Sequence, residues 1–286
     1  MPLAPDADSN IRLAASIIPG VKGTILNWSK VQKLNATEQL KCGIRYFDCR
    51  IGLHNHKAFR FLHGLWGPQL IDELHAIVAF LEAHPSEVII LDFNHFYDIT
   101  DEDHVMLTQL ILSIVGHLLI RLGDYSANGP VNWDDLTLEK LNQKGKQQIL
   151  LFYANDTGIA LSDLAFWPHS LIKAPWPRCK DHVQMMEFHE THLQNRTNVP
   201  NCNSDEGFYV WQGIVTPDVS MIMGNLTANF YEHLAKTITP EFTQWIGRKV
   251  GNYSKDCNAK HRFCNIFIAD AVELDSYIKN VISLNY

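Results

Sequence analysis

The hydrophobic positions follow two alternating periods, one typical of buried strands and one typical of amphipathic helices. Runs rich in β-branched and aromatic residues, each bounded by turn formers, predict strands. These runs are RYFDCRI (45–51), FRFLHG (59–64), SEVIILDFN (86–94), KQQILLFYA (146–154), GFYVWQGIVT (207–216) and CNIFIADAV (264–272). Between them, helical spacing predicts helices over 68–84 and 101–119, the first with Leu70, Leu74, Ile77, Val78 and Leu81 on one face.

This alternation of strands and helices predicts an α/β fold. Strands separated by helices form a mostly parallel sheet, and near-continuous apolar strands are buried on both faces. The pattern therefore favours a barrel or a doubly wound sheet. No repeat or Gly/Ser linker divides the chain, so we expect one domain over residues 1–286, with a long surface excursion over 176–207.

Composition excludes two classes of protein. The 286 residues are 46% hydrophobic, which is enough for a sizeable core, and the formal net charge is −7. Without a basic run, we expect no nucleic-acid partner, because phosphate recognition depends on clustered Lys and Arg. The longest apolar stretch, LTQLILSIVGHLLIRLG, is interrupted by polar residues and predicts a buried amphipathic helix rather than a membrane span.

The sequence is compatible with two cellular compartments. The first residues lack a secretory signal pattern, so the sequence as written predicts a cytoplasmic protein. The alternative is secretion with a signal missing from the N-terminus. It is favoured by six cysteines, of which Cys257 and Cys264 flank a loop that a disulfide could close. It is also favoured by six Asn-x-Ser/Thr sequons, where about two are expected by chance.

Polar groups collect where the predicted strands end. In a barrel these ends face the active-site mouth. Seven residues occupy such positions: Asp48, Arg50, His63, Asp92, Asn94, His95 and Asp270. A guanidinium can hold a phosphate through two oxygens, and a His can protonate a leaving oxygen near neutral pH. The alternatives are an Asp48–Arg50 ion pair closing the barrel and a structural His63.

Other candidates carry weaker signals. Asn94 and His95 follow a strong strand and are predicted either to contact a ligand or to make structural hydrogen bonds. Cys49 alternates with Asp48 and Arg50 along the strand, which predicts a buried structural thiol. Phosphate-loop, dinucleotide and nucleophile-elbow motifs are absent from the sequence.

An ordered set of motifs resembles one family over residues 11–286. The set consists of IIPG, WSKVQKLNATEQLKCGIRYFDCRIG, FLHGLWG, HPSEVIILDFNHFYDIT, QILLFY, APWP, IVTP and NIFIADAVE. It resembles the phosphatidylinositol-specific phospholipase C X-domain-containing proteins. The resemblance implies an irregular, incompletely closed TIM-like (β/α) barrel. It also implies cleavage of phosphatidylinositol to diacylglycerol and an inositol phosphate through a cyclic phosphodiester.

The resemblance also assigns catalytic roles. An Asp-x-Arg strand end followed thirteen residues later by the general-acid His matches Asp48, Arg50 and His63. Asp270 matches the carboxylate that orients the first catalytic His in metal-independent members. Because Arg50 stands where calcium-dependent relatives carry a carboxylate, the resemblance implies no metal and no cofactor.

One motif departs from the family. Where the family reads Pro-Gly-Ser/Thr-His-Asp, this chain has Val21, Lys22 and Gly23, so the general base and its helper Asp are missing. The stretch that follows is also short, which predicts a truncated first strand. Loss of a general base commonly slows a reaction by about two to four orders of magnitude. We therefore expect an impaired hydrolase, with a catalytically dead barrel that binds inositol phosphate or phosphoinositide head groups as the alternative.

Substrate contacts complete the prediction. Asn94, His95, Trp211 and Gln212 stand at strand ends that would overlook a phosphatidylinositol or inositol phosphate head group. Peripheral contact with a membrane surface is a further expectation. Trp66 and Trp167 are the rim candidates for it, and partial burial is the alternative for both.

Overall fold

The computed structural model describes residues 27–63, 65–126, 131, 133–143, 145, 147–197, 207–250 and 266–285, and every structural statement refers to these. They form two compact units, described separately. The first unit contains the described residues from Ala36 to Leu171, and the second contains 27–35 together with those from Ile172 onward. The expected truncated first strand lies outside the described residues.

The first unit contains a six-stranded sheet in the order β3-β2-β1-β4-β5-β6. Its strands are β1 Tyr46–His54, β2 Ala58–His63, β3 Leu65–Gln69, β4 Ile89–Tyr97, β5 Ile149–Tyr153 and β6 Trp167–Pro168. Strands β1, β4, β5 and β6 are parallel, as expected, whereas β2 pairs antiparallel with both β1 and β3. The short turn after β1 explains the difference, because a parallel crossover needs a dozen or more residues.

Six helices accompany this sheet. They are α1 Ala36–Cys42, α2 Leu70–Ala83, α3 Asp101–Val115, α4 Gly123–Ser126, α5 Leu138–Gln143 and α6 Asp156–Leu161, with 3₁₀ turns at Gly116–Leu118, Trp133–Asp135 and His169–Leu171. Helix α2 buries the predicted apolar face. Helix α3 begins with a capping box in which the Thr100 hydroxyl accepts from the Asp103 amide and the Asp103 carboxylate accepts from the Thr100 amide. Both helix predictions are confirmed.

The core of the first unit lies between the sheet and these helices. Apolar side chains of β1, β4 and β5 pack there against α2 and α3. Cys49 is buried in this core, which confirms the predicted structural thiol. Burial raises the pKa of the Cys49 thiol well above its ordinary value, and the neighbouring Asp48 carboxylate adds to the effect. The proposed Cys257–Cys264 pair lies outside the described residues.

The second unit contains a parallel sheet in the order β7-β8-β9. Its elements are β7 Ile172–Lys173, α7 His182–Thr197, β8 Phe208–Gly213, α8 Val219–Gly224, α9 Lys236–Trp245, β9 Ile266–Ala269 and α10 Tyr277–Ser283, with π-helical turns at Tyr231–Ala235 and Ile246–Val250. The surface excursion predicted over 176–207 is wrong at α7. This helix buries Met185, His189 and Leu193, which recur every four residues on one face.

Within the described residues, no helix is long and apolar enough to cross a membrane.

Candidate active site at the ends of the parallel strands

Asp48 and Arg50 form the centre of a polar cluster on β1. Arg50 Nε donates to Asp48 Oδ1 over 3.1 Å and Arg50 Nη2 donates to Asp48 Oδ2 over 3.2 Å, a two-point ion pair. Both side chains remain partly accessible, at 22% and 25% exposure. Strand β1 continues to His54, so the prediction that Asp48 and Arg50 end the strand is wrong. The two residues lie within it, on the face opposite the buried Cys49.

A bulge in β4 brings two successive side chains toward this pair. Cys49 pairs with Phe93 and Arg50 pairs with His95, so Asn94 is the extra residue. Strand alternation would send neighbouring side chains to opposite faces, and a bulge removes that constraint. Asn94 Nδ2 donates to Asp48 Oδ1 over 3.0 Å, and His95 Nδ1 lies 2.6 Å from Asn94 Oδ1.

Asp92 anchors the buried side of the cluster. Tyr46 Oη donates to Asp92 Oδ2 over 2.6 Å, and Asn94 Nδ2 donates to the same oxygen over 3.1 Å. The Asp92 side chain is 1% exposed, and its other oxygen, Oδ1, lies 3.5 Å from His169 Nε2. His169 follows β6 directly and was not among the predicted site residues.

The surroundings of the two histidines in the cluster shift their pKa values in opposite directions. The Asp92 carboxylate raises the pKa of His169 above its ordinary value, although partial burial opposes the charge. Partial burial lowers the pKa of His95, and the Arg50 charge lowers it further. For Arg50, partial burial opposes the charge, but Asp48 and then Tyr97 outweigh it and raise its pKa. The same cluster therefore holds one histidine that gains a proton readily and one that loses it readily.

His63 ends β2, as predicted, and its side chain is exposed. The antiparallel register pairs Ile51 with Phe61. The described pairing between β1 and β2 ends at these two residues, so His63 lies two residues beyond it. Asp48 was predicted to hold the His63 imidazole. Asp48 accepts hydrogen bonds from Arg50 and Asn94, and its support of His63 stays a prediction.

Asp270, Trp211 and Gln212 belong to the second unit. Asp270 directly follows β9 and is buried, and its backbone oxygen accepts from Thr239 Oγ1 over 2.6 Å. Gln212 Nε2 donates to the backbone oxygens of Ala174 and Pro175. Trp211 is 1% exposed and packs in an aromatic cluster. The amide nitrogen of Gln212 and the Trp211 ring are therefore engaged within their own unit.

The tryptophans chosen as rim candidates are buried. Trp66 is 8% exposed and packs over Gly52, and Trp167 is fully buried with its Nε1 donating to the Ile120 oxygen. The prediction that these two rings contact lipid at the rim of the barrel is wrong, because both side chains are buried. The stated alternative of burial holds for both.

Two further points concern metal ligands and the altered motif. In the described ranges, no three His, Cys, Asp or Glu side chains are grouped so as to hold a metal ion. The altered motif at Val21, Lys22 and Gly23 lies outside the described residues. The described cluster contains one guanidinium, two carboxylates and two histidines.

Two residues of this cluster escaped selection by sequence reasoning. The local sequence indicates no role for Asp92, because its burial and its contact with Tyr46 depend on pairing between β1 and β4. His169 follows a strand of two residues, too short for a periodic signal. The signal that remained was a lone His after the apolar FWP, at the carboxyl end of a strand.

Comparison with known sequences gives consistent relatives. PI-PLC X domain-containing protein 3 of Danio rerio is 30% identical over 289 residues, covering 100% of this chain and 82% of the relative. PI-PLC X domain-containing protein 2 of Homo sapiens is 35% identical over 228 residues, covering 79% of this chain and 69% of the relative. No family model matches the chain.

Solved structures share the fold. A pentafluoro-Phe form of the phosphatidylinositol-specific phospholipase C from Staphylococcus aureus superposes with a TM-score of 0.61 at 18% identity, covering 91% of this chain and 86% of that one. The corresponding enzyme from Listeria monocytogenes gives 0.60 at 16% identity, covering 99% and 89%. The predicted fold class, an α/β TIM-like barrel that hydrogen bonds do not close, is confirmed by this likeness.

Proposed function

Since the chain belongs to the PI-PLC X domain-containing proteins, we propose that it is a phosphoric diester hydrolase that cleaves phosphatidylinositol in the manner of metal-independent phospholipases C. The products are diacylglycerol and an inositol phosphate, formed through a cyclic phosphodiester. We extend this proposal to residues 1–286 as one functional domain.

The observation that carries the proposal is the Asp48–Arg50 pair at the centre of the cluster. A guanidinium has more N–H donors than one carboxylate occupies, so Arg50 can hold a phosphate oxygen while Asp48 fixes its orientation. Its permanent charge is suited to neutralising the charge that develops on phosphorus during attack. The oxygens of Asp48 accept from Arg50 and Asn94, and these hydrogen bonds fix the carboxylate beside the guanidinium.

The exposed His63 supplies the general acid in this proposal. His63 ends β2, and β2 pairs with β1, the strand that carries Arg50. An imidazole near neutrality can pass a proton to the glycerol oxygen as that oxygen leaves phosphorus. Asn94 and His95 are assigned to the head group, because both lie in the cluster that contains Arg50.

The rate is expected to be low compared with relatives that have a His at the position of Lys22. Lys22 is protonated at neutral pH unless its pKa falls by several units, so it is a poor proton acceptor. This feature also favours the second candidate function, a barrel that binds inositol phosphate or phosphoinositide head groups without turnover. A solved structure of the Staphylococcus aureus enzyme concerns its membrane binding. We extend peripheral membrane contact to this chain as part of the proposal.

The test is release of inositol phosphate from phosphatidylinositol vesicles in the presence of a calcium chelator. We expect slow release by the full chain and loss of release in Arg50→Ala. Arg50→Lys, which keeps the charge but not the two-point geometry, should recover only part of the activity. Release that is absent in the wild type, together with inositol phosphate binding that depends on Arg50, would instead establish the binding module.

A further inference from the structure

We propose that His169, held by the buried carboxylate of Asp92, is the general base that accepts the proton of the attacking inositol hydroxyl. This inference rests on the proposed function and names the residue that replaces the family's missing base. It assigns a catalytic role to His169 and a positioning role to Asp92.

Asp92 Oδ1 is buried and accepts no hydrogen bond of ordinary geometry from any described residue, whereas Asp92 Oδ2 accepts two. A buried carboxylate oxygen without a donor costs free energy, so a donor nearby is strongly favoured. His169 Nε2 lies 3.5 Å away, close enough that a small movement completes the bond when substrate excludes water.

The contact between the Asp92 carboxylate and His169 Nε2 selects one tautomer of the His169 ring. A carboxylate beside Nε2 favours the proton on that nitrogen and leaves the lone pair on Nδ1. Across the parts of the chain that the structure describes, His169 Nδ1 makes no hydrogen bond, and the side chain is 31% exposed. The imidazole thus presents an acceptor to the solvent-accessible side of the cluster, while its other nitrogen faces a fixed negative charge.

The strand register places His169 close to the row of paired residues that crosses β5, β4 and β1. Tyr153 pairs with Pro168, Phe93 pairs with Tyr153, and Cys49 pairs with Phe93. His169 therefore stands one residue beyond the row that passes through the Asp48 and Arg50 region of β1.

His63 lies on the other side of β1 from β4 and Asp92. Two strand spacings, about 10 Å, separate β2 from β4. In the order of the strands, β1 with Arg50 lies between β2, which His63 ends, and β6, which His169 follows.

This placement fits a balanced displacement at phosphorus. As the inositol oxygen forms its bond to phosphorus, its proton passes to His169 Nδ1. Phosphorus releases the glycerol oxygen, which takes a proton from His63. When water opens the cyclic phosphodiester, His63 accepts the proton of water and His169 returns its proton to the inositol oxygen, so both residues regain their starting states.

The experiment separates the base from the acid by changing the leaving group. Two substrates are compared, phosphatidylinositol in vesicles and a nitrophenyl ester of inositol phosphate, whose nitrophenolate leaves without protonation. The variants are His169→Gln, His63→Gln and, as a matched control on the exposed surface of α2, His75→Gln. Thermal unfolding of each variant verifies that the fold is intact.

We expect His169→Gln to lower kcat about 10²-fold to 10³-fold on both substrates, because both need the hydroxyl deprotonated. His63→Gln should lower kcat on the lipid and recover most of it on the nitrophenyl ester, and His75→Gln should match the wild type. Wild-type kcat in His169→Gln on either substrate would overturn the inference while leaving the proposed function intact. Failure of the wild type to cleave either substrate would overturn both.

Discussion

Acid sensitivity of the second unit follows from a buried histidine on α7. His189 is 1% exposed, its Nε2 lies 3.0 Å from the Gln212 backbone oxygen, and aromatic rings including Trp245 pack around it. Its Nδ1 has no hydrogen bond among the described residues. Burial lowers the pKa of His189 from 6.5 to about 4; the hydrogen bond to the Gln212 backbone oxygen opposes this shift, and the charge of His192 adds to it.

The lowered pKa makes stability depend on pH in a defined direction. Below pH 6.5 the unfolded chain binds a proton at His189 that the folded chain does not, so stability falls as the pH falls toward 4. Between pH 7 and pH 5, this group alone removes about 2 kcal/mol from the free energy of unfolding.

The assay is urea unfolding of the full chain at both pH values. His189→Gln should lose stability at pH 7, because ring packing is lost, yet its further loss between pH 7 and pH 5 should be about 2 kcal/mol smaller than that of the wild type. His75→Gln, on the exposed surface of α2, serves as the matched control for loss of a helix histidine. Equal pH dependence in the wild type and His189→Gln would refute the reasoning.

Three other predictions concern the site and the first unit. Introducing the family's base and helper in Lys22→His, Gly23→Asp should raise the rate of inositol phosphate release, and because His169 already serves as base the gain should stay below about 10²-fold. Chelation of calcium and its addition in excess should give equal release rates, since Arg50 supplies the cation; a rate that rises with calcium would contradict this role. Gly52→Ala should lower the free energy of unfolding by about 1 to 3 kcal/mol, because its new Cβ would stand 2.7 Å from the Trp66 ring, and thermal unfolding measures the loss.

The sequence predicted those features that depend on local pattern. The apolar face of α2, the capped start of α3 and the burial of Cys49 follow from residues close together in the chain, and all are confirmed. The fold class could also be predicted from the sequence, because the order of strands and helices is compatible with only a few topologies.

Features that depend on pairing between distant segments could not be read in this way. Asn94 and His95 share the cluster because of a bulge in β4, and a bulge is visible only from the partner strand. Asp92 and His169 are 77 residues apart in the sequence and meet through two successive strand pairings. Helix α7 was missed because its buried stripe is narrow and includes a histidine.

Phosphorus NMR of phosphatidylinositol vesicles incubated with the full chain and a chelator tests the central claim most directly. The account predicts a slowly growing signal of a cyclic inositol phosphodiester, followed by the open inositol phosphate, and neither signal with Arg50→Ala. An unchanged lipid signal in the wild type, or products that persist undiminished in Arg50→Ala, would contradict it.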